Sequence, residues 1–345
     1  MGVRKYSCPN CQSTETVKKG KRRGKERRIC KGCGKWFSIN RSKVDSLSPK
    51  DLTNLHLSGY SFRRITQDFG VATTTAYRKV VDYLSCLPQV VDVSRDYSTR
   101  WSGILVMDGK YVAIRGYKNK IPFLWAVDYL THDVPHFKLA PSENYQASLS
   151  FFQSLRLVNY SLQSLVTDDN INFRLAAQNV YPKVVAQICT NHFKETLRSV
   201  LRVRSNDTYK PLMKEIEFIF SKKRGVLEFE SLSKRLYSKY QNDDAARQVI
   251  LEIAKRQPHL LAYTKVSQTP YTTNIIESYN SHLQGRLKTI KSFEDFSHAK
   301  LWLNAYVLKR RLTKLRSCEG RFKKLNGFAP LEFTLQDQKS LPNFF

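Results

Sequence analysis

The sequence predicts a mixed α/β domain with an all-α insertion, preceded by a small zinc-binding module and a helix-turn-helix. Three observations predict this organisation. Two Cys-x2-Cys pairs lie near the N-terminus, strand-like apolar runs alternate with helical spacing from Trp101 onward, and residues 193–268 show repeated helical spacing without a convincing strand. Strands that first follow one another and then alternate with helices indicate a mixed sheet with helices on its faces. The predicted boundaries are 1–45 for a zinc ribbon, 46–87 for the helix-turn-helix, 88–100 for an aperiodic linker, 101–192 for the first part of the α/β domain, 193–270 for the insertion and 271–345 for C-terminal helices.

The charge of the chain is strongly one-sided. Its 345 residues include 58 Lys and Arg against 29 Asp and Glu, which gives a formal net charge of +29. Such a surplus repels itself unless a polyanion offsets it, and each phosphate that a protein neutralises releases a counterion. The basic residues are spread along the chain, so we expect several regions to contact nucleic acid. Solubility and binding to a membrane surface are the alternatives.

The hydropathy pattern contains no membrane signal. No stretch approaches the roughly 18 apolar residues that a membrane-spanning helix needs. The N-terminal residues MGVRKYSCPNCQ lack an apolar signal core and already carry two cysteines. We therefore expect an intracellular protein without a membrane partner.

Four cysteines have the spacing of a structural zinc site. Cys8 and Cys11 form one Cys-x2-Cys pair, and Cys30 and Cys33 form the other. Each such turn places two thiolates on one side of a tetrahedral Zn²⁺ ion, and the spacer between the pairs can hold one hairpin. A redox dithiol and a chance arrangement are the alternatives. The basic residues of the spacer predict a DNA-contacting surface that includes Lys21, Arg22, Arg23, Arg27 and Arg28.

The next segment has the rhythm of a helix-turn-helix. The sequence predicts a short helix over Phe62–Phe69, a turn at Gly70 and a second helix from about Thr73. In that motif the start of the second helix enters the major groove of DNA. An ordinary small helical bundle is the alternative. On the DNA-binding interpretation, the residues that face inward are Ala76, Val80 and Leu84, and those that face DNA are Thr73, Thr74, Thr75, Arg78 and Lys79.

Three acidic residues stand out in a chain that is short of acids. Asp108 lies inside the apolar run LVMDGK, Asp168 follows the apolar run LQSLV, and Glu277 lies in PYTTNIIESYN. A carboxylate in a hydrophobic strand is costly to bury unless it is paired or binds a metal. Hard oxygen ligands select Mg²⁺ or Mn²⁺, and two such ions about 4 Å apart can promote phosphoryl transfer. The sequence therefore predicts a two-metal site.

Each acid also has a structural interpretation. Asp108-Gly109 could be a turn at the end of a strand, and Asp168-Asp169-Asn170 could start a helix, with Asp169 as the competing ligand. Asn274-x-x-Glu277 matches a capping box, in which Glu277 would bond only the Asn274 backbone.

Three stretches resemble the Mutator-like superfamily of transposases, including its bacterial insertion-sequence members. They are ILVMDGKYVAIRG, TDDNINFRLAAQNVYPKVVAQICTNHFKETL and PYTTNIIESYNSHLQGRLKTIKSF, and the resemblance covers roughly residues 100–315. It implies a ribonuclease-H-like fold with a mixed five-stranded sheet and an α-helical insertion before the catalytic Glu. It also implies that Asp108, Asp168 and Glu277 are the three catalytic acids. The family usually has a small residue after its second Asp, where this chain has Asp169.

The resemblance implies a function. We expect a DDE-type transposase that binds terminal inverted repeats, cleaves the transposon ends and joins the 3′-hydroxyls to target DNA with Mg²⁺ or Mn²⁺. Because two DNA ends are held at once, we expect a homodimer on double-stranded DNA, associated with the nucleoid in a bacterial cytoplasm. The alternatives are a catalytically silent DNA-binding regulator and a nuclease of the same fold that cuts without joining.

A few further residues lie near the expected active site. Cys189 and His192 form the Cys-x2-His that the family shows, either as metal ligands or as structural support through packing and hydrogen bonds. Asn280 could contact DNA or orient Glu277. Arg286 and Lys288 lie on a basic helical face, which is either solvated or a DNA contact.

Overall fold

The computed structural model describes residues 6–22, 25–39 and 47–345. It divides into two compact units: the first comprises Met1–His56 and Tyr60–Val80, and the second Leu57–Gly59 and Val81–Phe345. No helix in the described part of the chain is both long and apolar enough to cross a lipid bilayer.

The first unit carries the N-terminal cysteines on a small antiparallel sheet. Its strands are β1 (Thr16–Arg22), β2 (Lys25–Cys30) and β3 (Trp36–Ile39). They pair in chain order, and β1 and β2 form a hairpin in the spacer between the two cysteine pairs.

Three helices follow this sheet: α1 (Pro49–Leu57), α2 (Phe62–Phe69) and α3 (Thr73–Cys86). The side chain of Ser61 caps α2 by accepting a hydrogen bond of 3.2 Å from the Arg64 backbone N–H. Gly70 ends α2 with a φ of 71°, a left-handed conformation that favours glycine. Because these signals are local, the bounds of α2 and the start of α3 are those that the sequence predicted. Ala76, Val80 and Leu84 are buried, also as predicted.

The second unit is built on a five-stranded sheet with β4 (Ile104–Val112), β5 (Ile121–Asp128), β6 (Phe137–Leu139), β7 (Ser164–Thr167) and β8 (Val185–Ile188). The order across the sheet is β6-β5-β4-β7-β8. Strand β5 is antiparallel to β4 and β6, whereas β7 is parallel to β4 and β8. The predicted mixed five-stranded sheet is therefore confirmed. Every residue of β5 and β7 is buried, which is typical of strands covered on both faces.

Helices α5 (Tyr145–Leu157) and α6 (Ile171–Val180) form a core with the sheet. Phe152 of α5 and Phe173 of α6 are fully buried in one cluster with Leu105 of β4. Burial of each such side chain contributes roughly 2 kcal/mol. This packing holds β4 and β7 in place; Asp108 lies in β4, and Asp168 directly follows β7.

Residues 193–268 contain helices and no strand. Their helices form a hydrophobic cluster together with Ile188 of β8, in which Ile216, Phe229 and Ile253 are buried. The helices from this region to the C-terminus are α7 (Thr190–Val200), α8 (Lys210–Ile219), α9 (Val226–Tyr240), α10 (Asp244–Leu260), α11 (Asn274–Ile290), α12 (Phe296–Leu312) and α13 (Pro330–Thr334).

The structure corrects one element. Residues 88–100, predicted as an aperiodic linker, contain helix α4 (Val90–Tyr97). The side chain of Asn304 accepts a hydrogen bond of 2.9 Å from the Val90 N–H and donates one of 2.8 Å to the Pro88 carbonyl. Val93 and Ser94 are buried on the inner face of α4. These partners lie more than two hundred residues away in sequence, so local periodicity gives little sign of the helix.

Candidate active site

The fold brings together Asp108, which lies in β4, and Asp168, which directly follows the neighbouring strand β7. In the parallel pair of β4 and β7, Val106 lies opposite Val166, and Asp108 and Asp168 each follow two residues later. Residues at equal register on adjacent strands point to the same face of a sheet. The two carboxylates also interact: burial first, and then the charge of Asp168, raise the pKa of Asp108 to about 6, although the Gly109 N–H acts to lower it. A divalent cation would relieve this repulsion.

Asn280 of α11 holds Asp108. Its side-chain NH₂ donates a hydrogen bond of 2.7 Å to Asp108 Oδ2, and its carbonyl oxygen accepts one of 2.9 Å from the indole N–H of Trp125. Asn280 is only 8% exposed. The sequence predicted a DNA contact or an orienting role toward Glu277 for this residue. The structure corrects both: the amide is engaged inside the protein, and the acid that it orients is Asp108.

Asp168 and its neighbour Asp169 have different surroundings. Asp168 Oδ1 accepts hydrogen bonds from the Thr167 hydroxyl at 3.1 Å and the Asn170 N–H at 3.3 Å. Both oxygens of Asp169 are paired with arginines, one with Arg174 and the other with Arg256 at 2.5 Å. The ion pairs neutralise Asp169, which therefore has less to gain from a metal ion. The N-cap of α6 is Asn170, which confirms that the Asp168-Asp169-Asn170 stretch starts a helix, although Asp168 itself is not the cap.

Glu277 lies in the first turn of α11, whose N-cap is Thr273. Its Oε1 accepts a hydrogen bond of 2.7 Å from the Thr273 hydroxyl. The predicted capping box with Asn274 is therefore replaced by a side-chain contact one residue earlier. The Glu277 side chain is 44% exposed, which leaves the carboxylate accessible to a ligand.

Cys189 and His192 lie beside Glu277, as the Cys-x2-His motif predicted. Cys189 is the N-cap of α7, at the end of β8, and His192 Nε2 lies 3.9 Å from Glu277 Oε1. The hydrogen bond with Cys189 is the largest cause that raises the pKa of His192 to about 9, and the charges of Glu277 and Asp108 add to it. Burial acts to raise the pKa of Cys189, but hydrogen bonds from His192 and Thr273 outweigh it and lower that pKa.

Two groups of the described residues bring three or more possible metal ligands within 4.8 Å of one another. One is Cys189, His192 and Glu277, and the other is the set of four N-terminal cysteines. Among the described residues the three acids do not form such a group, and Glu277 belongs instead to the one with Cys189 and His192. The charges of both Asp108 and Glu277 act on His192, so these two acids lie near it.

Glu143 also belongs to this site, and sequence reasoning missed it. It follows β6 and accepts hydrogen bonds from the Tyr111 hydroxyl at 2.7 Å and the Asn170 side chain at 2.6 Å. Its charge contributes to the raised pKa of Asp108. A Cβ at Gly109 would lie 2.8 Å from Glu143 Oε2, so glycine leaves room for this carboxylate. The sequence offers no signal for the role, since Glu143 merely precedes the N-cap of α5.

The four cysteines of the first unit form a compact cluster. Cys8 Sγ lies 3.6 Å from Cys33 Sγ, and Cys11 Sγ lies 3.5 Å from Cys30 Sγ. Sulfurs around a tetrahedral Zn²⁺ ion, with Zn–S bonds of about 2.3 Å, are about 3.8 Å apart. A backbone hydrogen bond from Lys35 is the largest cause that lowers the pKa of Cys33 to about 6. The cluster therefore fits zinc in ligand type and spacing.

The predicted DNA-contact residues differ in exposure. Lys21 and Arg22 are exposed, whereas Arg23 lies outside the described residues. The Arg27 guanidinium stacks over the Trp36 ring at 4.6 Å. Arg28 differs from the predicted DNA contact, because its guanidinium donates hydrogen bonds to Thr16 and Glu26 within the sheet. The remaining predicted DNA-contact residues are at least partly exposed. Those in the first unit are Thr73, Thr74, Thr75, Arg78 and Lys79, and those in the second unit are Arg286 and Lys288.

Comparison with protein families decides the assignment. The family model described as "Transposase, Mutator family" matches residues 94–309, more than half of the chain. The chain belongs to the Mutator family of transposases. This confirms the resemblance that the sequence indicated. In this Mutator-family chain, Asp108, Asp168 and Glu277 all lie within the matched region, and the cysteine cluster lies before it.

Two solved structures are similar to this Mutator-family chain. One is the Drosophila P element transposase strand transfer complex, at 13% identity and a TM-score of 0.33, covering 88% of this chain and 92% of that one. The other is the cryo-EM structure of the simian T-cell lymphotropic virus intasome in complex with PP2A regulatory subunit B56 gamma, at 14% identity and a TM-score of 0.23, covering 60% of this chain and 68% of that one. Comparison with curated proteins finds no match. Likenesses this weak carry no argument, and the assignment rests on the family model.

Proposed function

We propose that this chain is an active DDE-type transposase that cleaves transposon ends and joins the freed 3′-hydroxyls to target DNA. Asp108, Asp168 and Glu277 would be its catalytic acids. The observation that carries the proposal is that Asp108, in β4, and Asp168, directly after the parallel strand β7, each stand two residues beyond the paired residues Val106 and Val166, within the family match.

The donor set supports a site for Mg²⁺ or Mn²⁺. Asp108 and Asp168 offer carboxylate oxygens on one face of the sheet, and Glu277 offers a third from α11. Hard divalent cations prefer such ligands. When bound, two of these ions activate the attacking oxygen and stabilise the leaving oxygen of a phosphodiester.

The protein's own groups prepare this site. Asn280 fixes the Asp108 carboxylate, and Thr167 and the Asn170 N–H bind one oxygen of Asp168. The ion pairs of Asp169 leave Asp168 as the second ligand. Preorganised ligands need no reorientation when DNA and metal arrive, which favours catalysis.

We assign DNA recognition to the first unit. The four cysteines would hold a structural Zn²⁺ ion, and the exposed start of α3, with Thr73, Thr74 and Arg78, would enter the major groove of the terminal inverted repeat. Arg286 and Lys288 are exposed on α11, downstream of Glu277, and suit phosphate contacts. Since two ends must be cut and joined together, we propose a homodimer on DNA, acting at the nucleoid of a bacterial cell.

The test uses DNA from either side of the gene. Duplexes that carry flanking inverted repeats are incubated with Mg²⁺ and the wild-type chain, or with Asp108→Asn, Asp168→Asn or Glu277→Gln. We expect the wild type to cut and join the ends and each variant to lose both activities by at least a thousandfold. Lys234→Gln serves as the control, because it removes an exposed charge of α9 that lies outside both the active site and the predicted DNA-contacting residues.

Each of the other outcomes supports an alternative function or removes a residue from the proposed site. A wild-type chain that binds the repeats and cuts nothing is a silent regulator. One that cuts without joined products is a nuclease. Full activity in any of the three acid variants removes that residue from the proposed site.

A further inference from the structure

We propose that Thr273 is a positioning residue for Glu277, and that Cys189 and His192 hold Thr273 in the required place. This inference rests on the proposed function, because it takes Glu277 as a metal ligand. It gives the Cys-x2-His pair a role as a support for the third acid, in place of a metal-binding role.

The Thr273 hydroxyl lies at the centre of the cluster. Its oxygen is 2.7 Å from Glu277 Oε1, 3.1 Å from Cys189 Sγ and 3.3 Å from His192 Nδ1. A hydroxyl has one proton to donate and two lone pairs that accept. The shortest of the three distances is the one to the carboxylate, and 2.7 Å is typical of a charge-assisted O–H···O⁻ bond. Of the three partners, the Glu277 carboxylate is therefore the one that the hydroxyl binds most strongly.

The backbone around Thr273 is joined to the start of α7. The Thr190 N–H and hydroxyl both donate to the Tyr271 carbonyl, at 2.9 and 3.1 Å. The Thr273 N–H donates to Cys189 Sγ at 3.3 Å, and the Asn191 side chain donates to that of Asn274 at 3.0 Å. These bonds join segments about eighty residues apart in sequence and fix the point at which α11 begins.

The third acid needs such a support more than the first two do. Asp108 lies in β4 and Asp168 directly follows β7, whereas Glu277 stands on the first turn of a helix with a longer side chain that is 44% exposed. A flexible carboxylate loses rotamer freedom when it binds a metal, and a hydrogen bond that restricts it beforehand reduces that loss. Thr273 itself is fully buried, so its hydroxyl is a fixed reference point.

The experiment compares Thr273→Val, Thr273→Ser and Thr269→Val in the full chain. Valine keeps the shape of threonine and removes the hydroxyl, and serine keeps the hydroxyl. Thr269 is the matched control, because it is equally buried and its hydroxyl has no hydrogen-bond partner among the described residues. Three quantities are measured: DNA cleavage as a function of Mg²⁺ concentration, Mn²⁺ affinity by calorimetry, and thermal unfolding.

We expect Thr273→Val to weaken Mn²⁺ binding and raise the half-saturating Mg²⁺ concentration by about ten- to a hundredfold, the effect of losing one hydrogen bond to a charged group. Thr273→Ser should restore most of the loss, and Thr269→Val should match the wild type. Cys189→Ala and His192→Phe should shift the metal dependence in the same direction.

If a folded Thr273→Val variant binds the metal as tightly as the wild type, the positioning role is overturned. The proposed function still stands in that case, provided that the wild type cleaves DNA. Tight Zn²⁺ binding that Cys189→Ala abolishes also overturns it, because the cluster is then a metal site. If the wild type cuts no DNA, the proposed function fails, and the Mn²⁺ affinities still decide whether Thr273 supports the Glu277 site.

Discussion

The side-chain amide of Asn280 bridges Trp125 and Asp108, with hydrogen bonds of 2.9 and 2.7 Å. Trp125 lies directly opposite Asp108 in the β4–β5 pair, so one helix residue fixes an acid against its own sheet. Both ends of the Asn280 amide are engaged inside the protein, and the side chain is buried. Substitution of Asn280 should therefore change the rate of DNA cleavage and leave the affinity for DNA unchanged.

Asn280→Leu should lower the rate of DNA cleavage about ten- to a hundredfold, because it removes a hydrogen bond to a charged carboxylate and leaves the indole unpaired. Single-turnover cleavage and DNA affinity are measured side by side. Lys288→Ala is the contrasting variant and should weaken binding in a salt-dependent manner. A variant at Asn280 that weakens DNA binding with unchanged cleavage would contradict the assignment.

Substitutions of the two adjacent aspartates, Asp168 and Asp169, should have different effects. Asp168→Asn should abolish cleavage, whereas Asp169→Asn should retain it and lower the melting temperature, since it leaves Arg174 and Arg256 without their common partner. Cleavage assays and thermal unfolding of both variants provide the measurement. If Asp169→Asn is inactive while fully folded, Asp169 is the metal ligand instead.

His136 should make the stability of the protein depend on acid pH. Burial first, and then the charges of Lys138 and Lys300, lower its pKa to about 3, and its ring nitrogens have no partner among the described residues. The unfolded chain takes up a proton near pH 6.5 that the folded chain refuses, so stability falls as the pH drops below that value. Between pH 7 and pH 5 the loss from this residue is about 2 kcal/mol.

His136→Phe should remove that part of the pH dependence, since the ring packs near Phe137 and Phe151. Urea unfolding of both proteins at pH 7 and pH 5 measures the difference. His132 serves as the internal control, because its pKa, lowered to about 4 chiefly by burial, is the same in both proteins. Parallel losses of stability in wild type and variant would rule out the assignment to His136.

Zinc removal should affect the first unit alone. We expect one Zn²⁺ ion per chain, lost on strong chelation or in Cys33→Ser, with unfolding of the cysteine-bearing sheet, because structural zinc contributes folding free energy. Binding to terminal-repeat DNA should fall, while Mn²⁺ affinity at the three acids should persist. Cys86→Ser is the matched control, since that exposed cysteine lies outside the cluster. A purified chain that folds and binds DNA without zinc would disprove the structural role.

Much of the fold could be predicted because its signals are local. Ser61 and Gly70 bound α2 through their own backbone and side-chain geometry, and the apolar run around Asp108 is a strand in the structure. Asp108 and Asp168 could be predicted as a pair for the same reason, since each adjoins a hydrophobic strand. The family match then supports the resemblance that these residues carried.

The failures involve partners distant in sequence. Arg311 of α12 is an example: its guanidinium is buried and donates to both oxygens of Asp133 at 2.7 and 2.8 Å. Glu143 gave no signal because its partners, Tyr111 and Asn170, come from other elements. Residue type alone does not reveal whether a charge faces water or a buried partner.

The sequence by itself determined the composition of the site: three acids, a Cys-x2-His pair and four cysteines at zinc spacing. Only the tertiary structure decided how they are used. It directs Asn280 to Asp108, neutralises Asp169 with two arginines, and places the Thr273 hydroxyl against Glu277. The physical reason is that short-range hydrogen bonds and apolar periodicity are written along the chain, whereas the pairing of buried polar groups depends on which elements the folded core brings together.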